Sequence, residues 1–270
     1  MLQKILKPYQ GLSREIWLMA LTMLINRAGA MVIPFLSLYL TNFLDFTLED
    51  VGWIMSCYGF GSLAGVFIGG KLSDTFGYYK VMYLSLLGTS LIFFSIQFVT
   101  DFYSLCLGVF SLTLIADMFR PAVWVALDDY SEVENRTRSV TLIRLAINLG
   151  FSLGPALGGL LITYISYSSL FWVDGITCLI ASFIIIRFLH QKSQIKKDSK
   201  DTKKLKLSPY KDGRYLIFWF AMFLIGFTFM QYFSTIPLYY SQRLGMEEDK
   251  IGLMLAMNGL LIFLLEMTLV

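Results

Sequence analysis

The chain has 270 residues, of which 56% are hydrophobic and only 15% charged, with a formal net charge of +3. Soluble domains carry roughly 25% charged residues, so the composition argues against that class and for a polytopic membrane protein. The basic residues sit in loops between apolar runs, which gives no reason to expect a nucleic-acid partner.

The N-terminal stretch MLQKILKPYQGLSRE is basic and leads into an apolar run from Ile16 to Leu44 that contains Asn26, Arg27 and Pro34. That run is too long for the apolar core of a cleaved signal peptide and is read as a retained first span. Further runs long enough to cross a hydrocarbon core, which takes about 20 residues, follow it. The predicted spans cover 15–43, 51–70, 79–100, 102–127, 140–164, 168–189, 214–241 and 250–270. Helices are expected throughout, because open strands would leave backbone groups unpaired in lipid.

Lysine and arginine mark alternate loops. Lys4, Lys7 and Arg14 precede the first span, Lys71 and Lys80 follow the second, Arg136 and Arg138 follow the fourth, and the stretch 187–214 is the richest. The positive-inside rule then places the N terminus and the 187–214 stretch in the cytoplasm; a multi-pass plasma-membrane protein is expected. The polar stretch after the sixth span divides the chain into a six-helix bundle (1–190), a basic cytoplasmic linker (191–213) and the opening of a second bundle (214–270). Cys57, Cys106 and Cys178 lie within apolar runs, no CxxC pair occurs and His190 is the single histidine. Reduced, buried thiols are expected, and neither a metal nor a cofactor is suggested.

An internal repeat supports the division. IPFLSLYLTNFLDFTLEDVGWIMSCYGFG, from Ile33, is matched by IPLYYSQRLGMEEDKIGLMLAMNGL, from Ile236; Gly52 and Gly59 recur as Gly252 and Gly259. The seventh and eighth spans thus read as a second copy of the first and second. Parallel repeats are an established transporter design with the substrate site between them.

Two motifs then carry a family resemblance. GGKLSDTFGYYK, between the second and third spans, presents Gly70, Leu72, Asp74, Gly77 and Lys80 in a G-x-L-x-D-x-x-G pattern with a basic residue after it. NLGFSLGPALGG, in the fifth span, presents Gly150, Gly154, Pro155, Gly158 and Gly159 in a G-x-x-x-G-P-x-x-G-G pattern. Together they resemble the major facilitator superfamily, and within it the twelve-helix drug:proton antiporters. The resemblance implies an all-α polytopic fold with a six-helix N-terminal bundle and the first two helices of the C-terminal bundle. It also implies that the remaining helices are missing and that the chain is truncated or a fragment, since Val270 aligns with Gly70 on the repeat.

By the same resemblance, Gly70, Asp74, Gly77 and Lys80 form a conformational latch whose partner is the eleventh helix, outside this chain. The sequence departs from the pattern at Thr75 and Tyr78, where basic residues are usual, and Lys80 is free to pair with Asp128 or Asp129. The fifth-span glycines are implied to seal the transport path against the other half. Read from spacing alone, Gly61, Gly65 and Gly69, like Gly150, Gly154 and Gly158, make smooth stripes for close helix packing, and Pro155 favours a kink.

Charges inside spans cost about 2.5–3.5 kcal/mol each at the bilayer centre on insertion scales, so they should face a cavity or a partner. The candidates for proton coupling and for the intramembrane charge set are Asp117, Arg120, Glu266, Arg27 and Arg144; Asp174, like Arg144, is expected to snorkel from near a helix end. A buried ion-pair network is the alternative for all of them. Asp117 with Arg120 is read as the first-half pair and Glu266 as the second-half acid. Pocket candidates are Asn26, Trp124, Asn148, Gln231, Tyr232 and Asn258, with Tyr39 and Phe229 as further aromatics; Trp53 reads as a membrane-interface residue.

The function expected from all this is proton-coupled efflux of small amphiphilic compounds by alternating access, with a small-molecule substrate, protons and the lipid bilayer as partners. Transport of a specific metabolite, or a non-transporting membrane scaffold, are the alternatives. An intramembrane aspartyl protease using Asp117 and Asp174 is disfavoured because FWVDG is not the GxGD signature, and no other catalytic motif is present.

Overall fold

The structure is a computed structural model that describes residues 11–190 and 211–269, with side chains through residue 265. Every long element among these residues is an α-helix: α1 Arg14–Ala28, α2 Val32–Leu38, α3 Leu48–Phe76, α4 Tyr78–Ile96, α5 Phe102–Asp117, α6 Phe119–Tyr130, α7 Arg136–Tyr164, α8 Ser168–Phe188, α9 Gly213–Leu244 and α10 Glu248–Leu269. A π-turn, Tyr39–Phe43, prolongs α2. With α1–α2 and α5–α6 each counted as one, seven helical spans are long and apolar enough to cross a membrane; α10, the predicted eighth span, is helical as well. The molecule is an all-α, multi-pass membrane protein. The basic linker through residue 210, and Lys4 and Lys7, lie outside the described residues.

Local chemistry sets the helix ends. Thr47 and Asp50 form a reciprocal cap at the start of α3: the Thr47 hydroxyl oxygen accepts the Asp50 amide at 3.2 Å and the Asp50 carboxylate accepts the Thr47 amide at 3.3 Å. Asp101 accepts the Ser104 amide at 2.9 Å and starts α5. Gly245, at φ 61°, closes α9 in the left-handed conformation that glycine adopts at no cost.

Three features differ from the sequence expectation. The first span is broken between Ala28 and Val32, because Pro34 has no N–H to bond the carbonyl of Ala30, so the chain restarts with Pro34 in the first turn of α2. The fourth span is interrupted at Met118 for the same reason: Pro121 cannot donate to the carbonyl of Asp117. Pro155 and Pro237, by contrast, lie inside unbroken helices. Finally, the stretch from Gly69 is not a loop. α3 continues to Phe76 and reverses at a single residue, Gly77, whose φ of 89° and ψ of 141° let α4 begin at once.

The most extensive pairings are α3 with α5, α4 with α8, α1 with α7, and α7 with α10. Gly61, Gly65 and Gly69 are buried, and a methyl group on any of them would meet the fourth span, at Phe110, Thr113 and Leu114 of α5 or at Met118 of the break. One hydrophobic cluster joins the helices from α1 to α8 and extends to Ile251 and Leu255 of α10. In α9 the buried residue is Pro237, and the helix is exposed from Gly213 to Met230.

Two ends of the bundle can be told apart. At the end bearing the chain's first described residues, Tyr78 donates to Asp129 at 2.5 Å, Ser13 donates to the Tyr130 carbonyl at 3.1 Å, and Tyr130 donates to the His190 carbonyl at 2.5 Å. At the opposite end the first six spans are tied to the last two. Ser37 donates to the Ser234 carbonyl at 3.1 Å, Asn42 to the Ser241 hydroxyl at 3.3 Å and Tyr167 to the Glu248 carboxylate at 2.7 Å.

Candidate functional site

The helix breaks converge on one cavity of about 180 Å³, lined by residues of α1 to α8 and of the middle of α9. Its wall is mostly apolar, with Leu36, Leu86, Phe93, Phe151, Phe229 and Phe233 among its residues. Its polar groups include Asn26 and Arg27 at the end of α1, Tyr58 and Ser62 on α3, Thr89 on α4, Thr113 on α5, and Asp117 and Arg120 on either side of the break in the fourth span. This is the composition of a small-molecule site, with apolar walls and a few placed polar groups.

The polar groups are partly ordered by one another. Arg120 Nε lies 3.6 Å from an Asp117 carboxylate oxygen, and the Ser62 hydroxyl donates to the other carboxylate oxygen. Ser62 and Tyr58 stand one turn apart on α3, beside the glycine stripe that brings this helix against α5; the Thr113 hydroxyl donates to the Tyr58 carbonyl at 3.0 Å and fixes the crossing. The Arg27 guanidinium sits over the Phe151 ring, 5.4 Å from its centroid. Asn26 reaches Cys178 at 3.7 Å.

Asp174 requires a correction. It does not snorkel: it is fully buried, and its carboxylate accepts the backbone N–H groups of Met31 at 3.0 and 3.1 Å and of Val32 at 2.9 Å. It caps α2 from α8, using the donors that the break in the first span leaves free. An acid committed to two backbone amides is not half of a catalytic dyad with Asp117. Arg144 is exposed on α7, and the Glu266 side chain lies outside the described residues.

A family model described as Major Facilitator Superfamily matches residues 16–269. The chain belongs to the Major Facilitator Superfamily. Membership makes it a transporter-family protein rather than an enzyme. Among curated relatives, it is 25% identical over 240 residues to "Uncharacterized MFS-type transporter YqjV" of Bacillus subtilis, covering 87% of this chain and 58% of that protein. It is 25% identical over 233 residues to "Multidrug resistance protein 2" of the same species, covering 82% and 57%. It is 26% identical over 160 residues to "Quinolone resistance protein NorA" of Staphylococcus aureus, covering 59% and 41%. The chain thus spans less than two thirds of the length of these relatives.

Of the residues singled out in the sequence, the cavity gathers Asn26, Arg27, Asp117, Arg120 and Phe229. The other pocket candidates are placed elsewhere. Tyr232 donates its hydroxyl to the Leu255 carbonyl at 2.6 Å, and the Gln231 side chain accepts from Thr235. Trp124 and Asn258 are exposed, and the backbone of Asn148 adjoins Gly259. Tyr39 is buried in an aromatic cluster, with Phe171 at 5.1 Å and Phe43 at 5.4 Å between ring centroids. Ser62 and Tyr58 were not foreseen; a hydroxyl next to a packing glycine reads as helix glue until its partner is known.

The fifth-span motif serves two neighbours. Gly150, Gly154 and Gly158 face α1 and α2 at Arg27, Ala28 and Phe35, whereas Gly159 faces the start of α10 at Glu248 and Asp249. From the other side, Gly252 approaches Pro155 and Gly159, Gly259 approaches Ser152, and the Ser152 hydroxyl donates to the Ala256 carbonyl at 3.0 Å. Around the second-span motif, a methyl group on Gly70 would meet nothing within 4 Å, and Asp74 and Lys80 are exposed. Asp128 pairs with Arg136, and the Asp129 carboxylate accepts the hydroxyl hydrogen of Tyr78.

Proposed function

We propose that the chain supplies the first eight helices of a proton-coupled exporter of small amphiphilic compounds, with residues 1–190 as one bundle, 191–213 as a cytoplasmic linker and 214–270 as the opening of the second. The observation that carries this is the carboxylate of Asp117, the one carboxylate on the cavity wall among the described residues. Asp117 faces an apolar chamber in which charge is costly, and a hydroxyl and a guanidinium hold it where a proton can be exchanged against cargo. The names of two relatives, a multidrug resistance protein and a quinolone resistance protein, favour export of amphiphilic compounds over a metabolite.

With the N terminus in the cytoplasm, the contacts Ser37–Ser234, Asn42–Ser241 and Tyr167–Glu248 close the external side, and the cavity belongs to an inward-facing state. Asp74 lies in the last turn of α3, where the helix dipole opposes an acid. In its own helix the oppositely charged neighbour is the exposed Lys71, three residues before it; an acid left exposed at this end supports a partner in a later helix and the latch role of Gly70, Asp74, Gly77 and Lys80.

The test uses the full-length protein in proteoliposomes. An imposed pH gradient should drive a lipophilic dye against its concentration gradient. Asp117→Asn should abolish that accumulation while leaving dye exchange. If wild-type protein moves no amphiphilic compound under a pH gradient, or if Asp117→Asn accumulates dye as wild type does, the reading is wrong.

A further inference from the structure

Arg27 has no role in the coupling pair, yet it lies half-way along the first span, on the cavity wall. Its Nε is buried and has no hydrogen-bond partner. Among the described residues the charged groups of the wall are Arg27, Arg120 and Asp117; since Asp117 is engaged by Arg120, these groups leave one cation in excess. Among the described residues no carboxylate stands within ion-pair distance of Arg27.

A guanidinium whose Nε donor is buried and unused is costly, and a satisfied core arginine would have found a carbonyl or carboxylate nearby. Carbonyls are at hand: Gly154 brings α7 against the backbone oxygens of Arg27 and Ala28, but these belong to the arginine's own turn. The Phe151 ring lies beside the guanidinium, and both side chains line the chamber. A guanidinium edge is the group best shaped for a carboxylate.

We infer that Arg27 is a cargo-binding residue, and that the compounds carried bear a carboxylate attached to an aromatic or apolar body. The carboxylate docks on Arg27; the body lies against Phe93, Phe229 and Phe233. This rests on the cavity being the cargo site, and it narrows amphiphilic cargo to amphiphilic anions and zwitterions. A purely cationic amphiphile would meet the surplus positive charge and be disfavoured.

The experiment measures binding of matched probes to the purified full-length protein by titration calorimetry: 2-naphthoate, 2-naphthamide and naphthylmethylammonium. The carboxylate should bind at least about tenfold more tightly than the amide, as a charge-assisted pair replaces a neutral one, and the ammonium should bind most weakly. Arg27→Gln should erase the preference for the carboxylate over the amide, while Arg27→Lys keeps part of it. The wild-type ratio needs no variant, so it decides the matter even if Arg27→Gln fails to fold. Equal binding of carboxylate and amide, stronger binding of the ammonium, or an unchanged ratio in Arg27→Gln would overturn the inference. Failure of the transport reading looks different: naphthoate would bind through Arg27 while no pH gradient moved any compound.

Discussion

The carboxylate of Asp174, in α8, accepts the backbone N–H of Val32 at 2.9 Å across the break in the first span. The pair are 142 positions apart, and the bond makes the shape of the first span depend on the sixth. The broken span in turn positions Asn26 and Arg27 at the cavity.

Asp174→Ala should therefore be severely destabilising. It leaves two buried N–H donors without an acceptor, and hydrogen bonds to charged groups are worth about 1.5–3 kcal/mol each. Asp174→Asn keeps one good acceptor oxygen and should lie between Ala and wild type. Thermal melts of the full-length protein in detergent measure the order. If Asp174→Ala melts with wild type, the carboxylate is not what holds the break.

Two glycines of α3 separate packing from function. A methyl group on Gly65 would run into the Leu114 backbone, which cannot yield, so Gly65→Ala should cost about 1–3 kcal/mol through overpacking. Gly70 faces open space, and Gly70→Ala should melt at or slightly above the wild-type temperature. If Gly70 belongs to a latch, that same variant should transport more slowly in counterflow despite its intact stability. Wild-type counterflow from Gly70→Ala would remove Gly70 from the latch.

The spans were legible because about 20 apolar residues in a row have few other uses, and the two motifs because their glycines and Asp74 sit at fixed offsets. The breaks were not. Pro34 and Pro121 announce a weak point, as do Pro155 and Pro237, yet only the first pair interrupts a helix. At the first break a capping carboxylate is supplied from α8, and nothing local in the sequence reports it. Asp174 was misread for the same reason, since its nearness to a helix end suggested snorkelling while its partners are backbone groups of another span. Asp117 and Arg120 could be paired by their spacing, but Ser62, their third member, depends on the α3–α5 crossing.

Asp101 gives a pH-dependent handle outside the spans. The Ser104 backbone amide, and then its hydroxyl, hold the Asp101 carboxyl below its ordinary value. A group depressed in the folded state stabilises above its unfolded pKa, about 3.9, and loses that contribution as the pH falls through the folded value. The melting gap between wild type and Asp101→Ala should thus be full at neutral pH and close progressively below about pH 4. Asp101→Asn, which caps without a charge, should track wild type at neutral pH and show no such closing. A gap of the same size at pH 3 and pH 7 would show that the charged cap contributes nothing.

The Tyr167–Glu248 bond offers the last test, of closure. Burial, and then the bond to Glu248, push the Tyr167 phenol above its ordinary value, so it stays protonated and donates throughout the physiological range. Tyr167→Phe removes the donor and leaves Glu248 to water, which favours states in which this end is open. A hydrogen bond to a carboxylate is worth about 1.5–3 kcal/mol, enough to shift a two-state balance by about tenfold or more. Cys178 lines the cavity and is the natural reporter once every other cysteine of the full-length protein, Cys57 and Cys106 among them, is replaced by alanine. In sealed cells expressing the full-length protein, a membrane-impermeant maleimide should label Cys178 about tenfold faster in Tyr167→Phe than in wild type. Asn42→Ala, which loses a weaker contact to Ser241, should act in the same direction with a smaller effect. Labelling at the wild-type rate in both variants would mean that these bonds do not control access from this end.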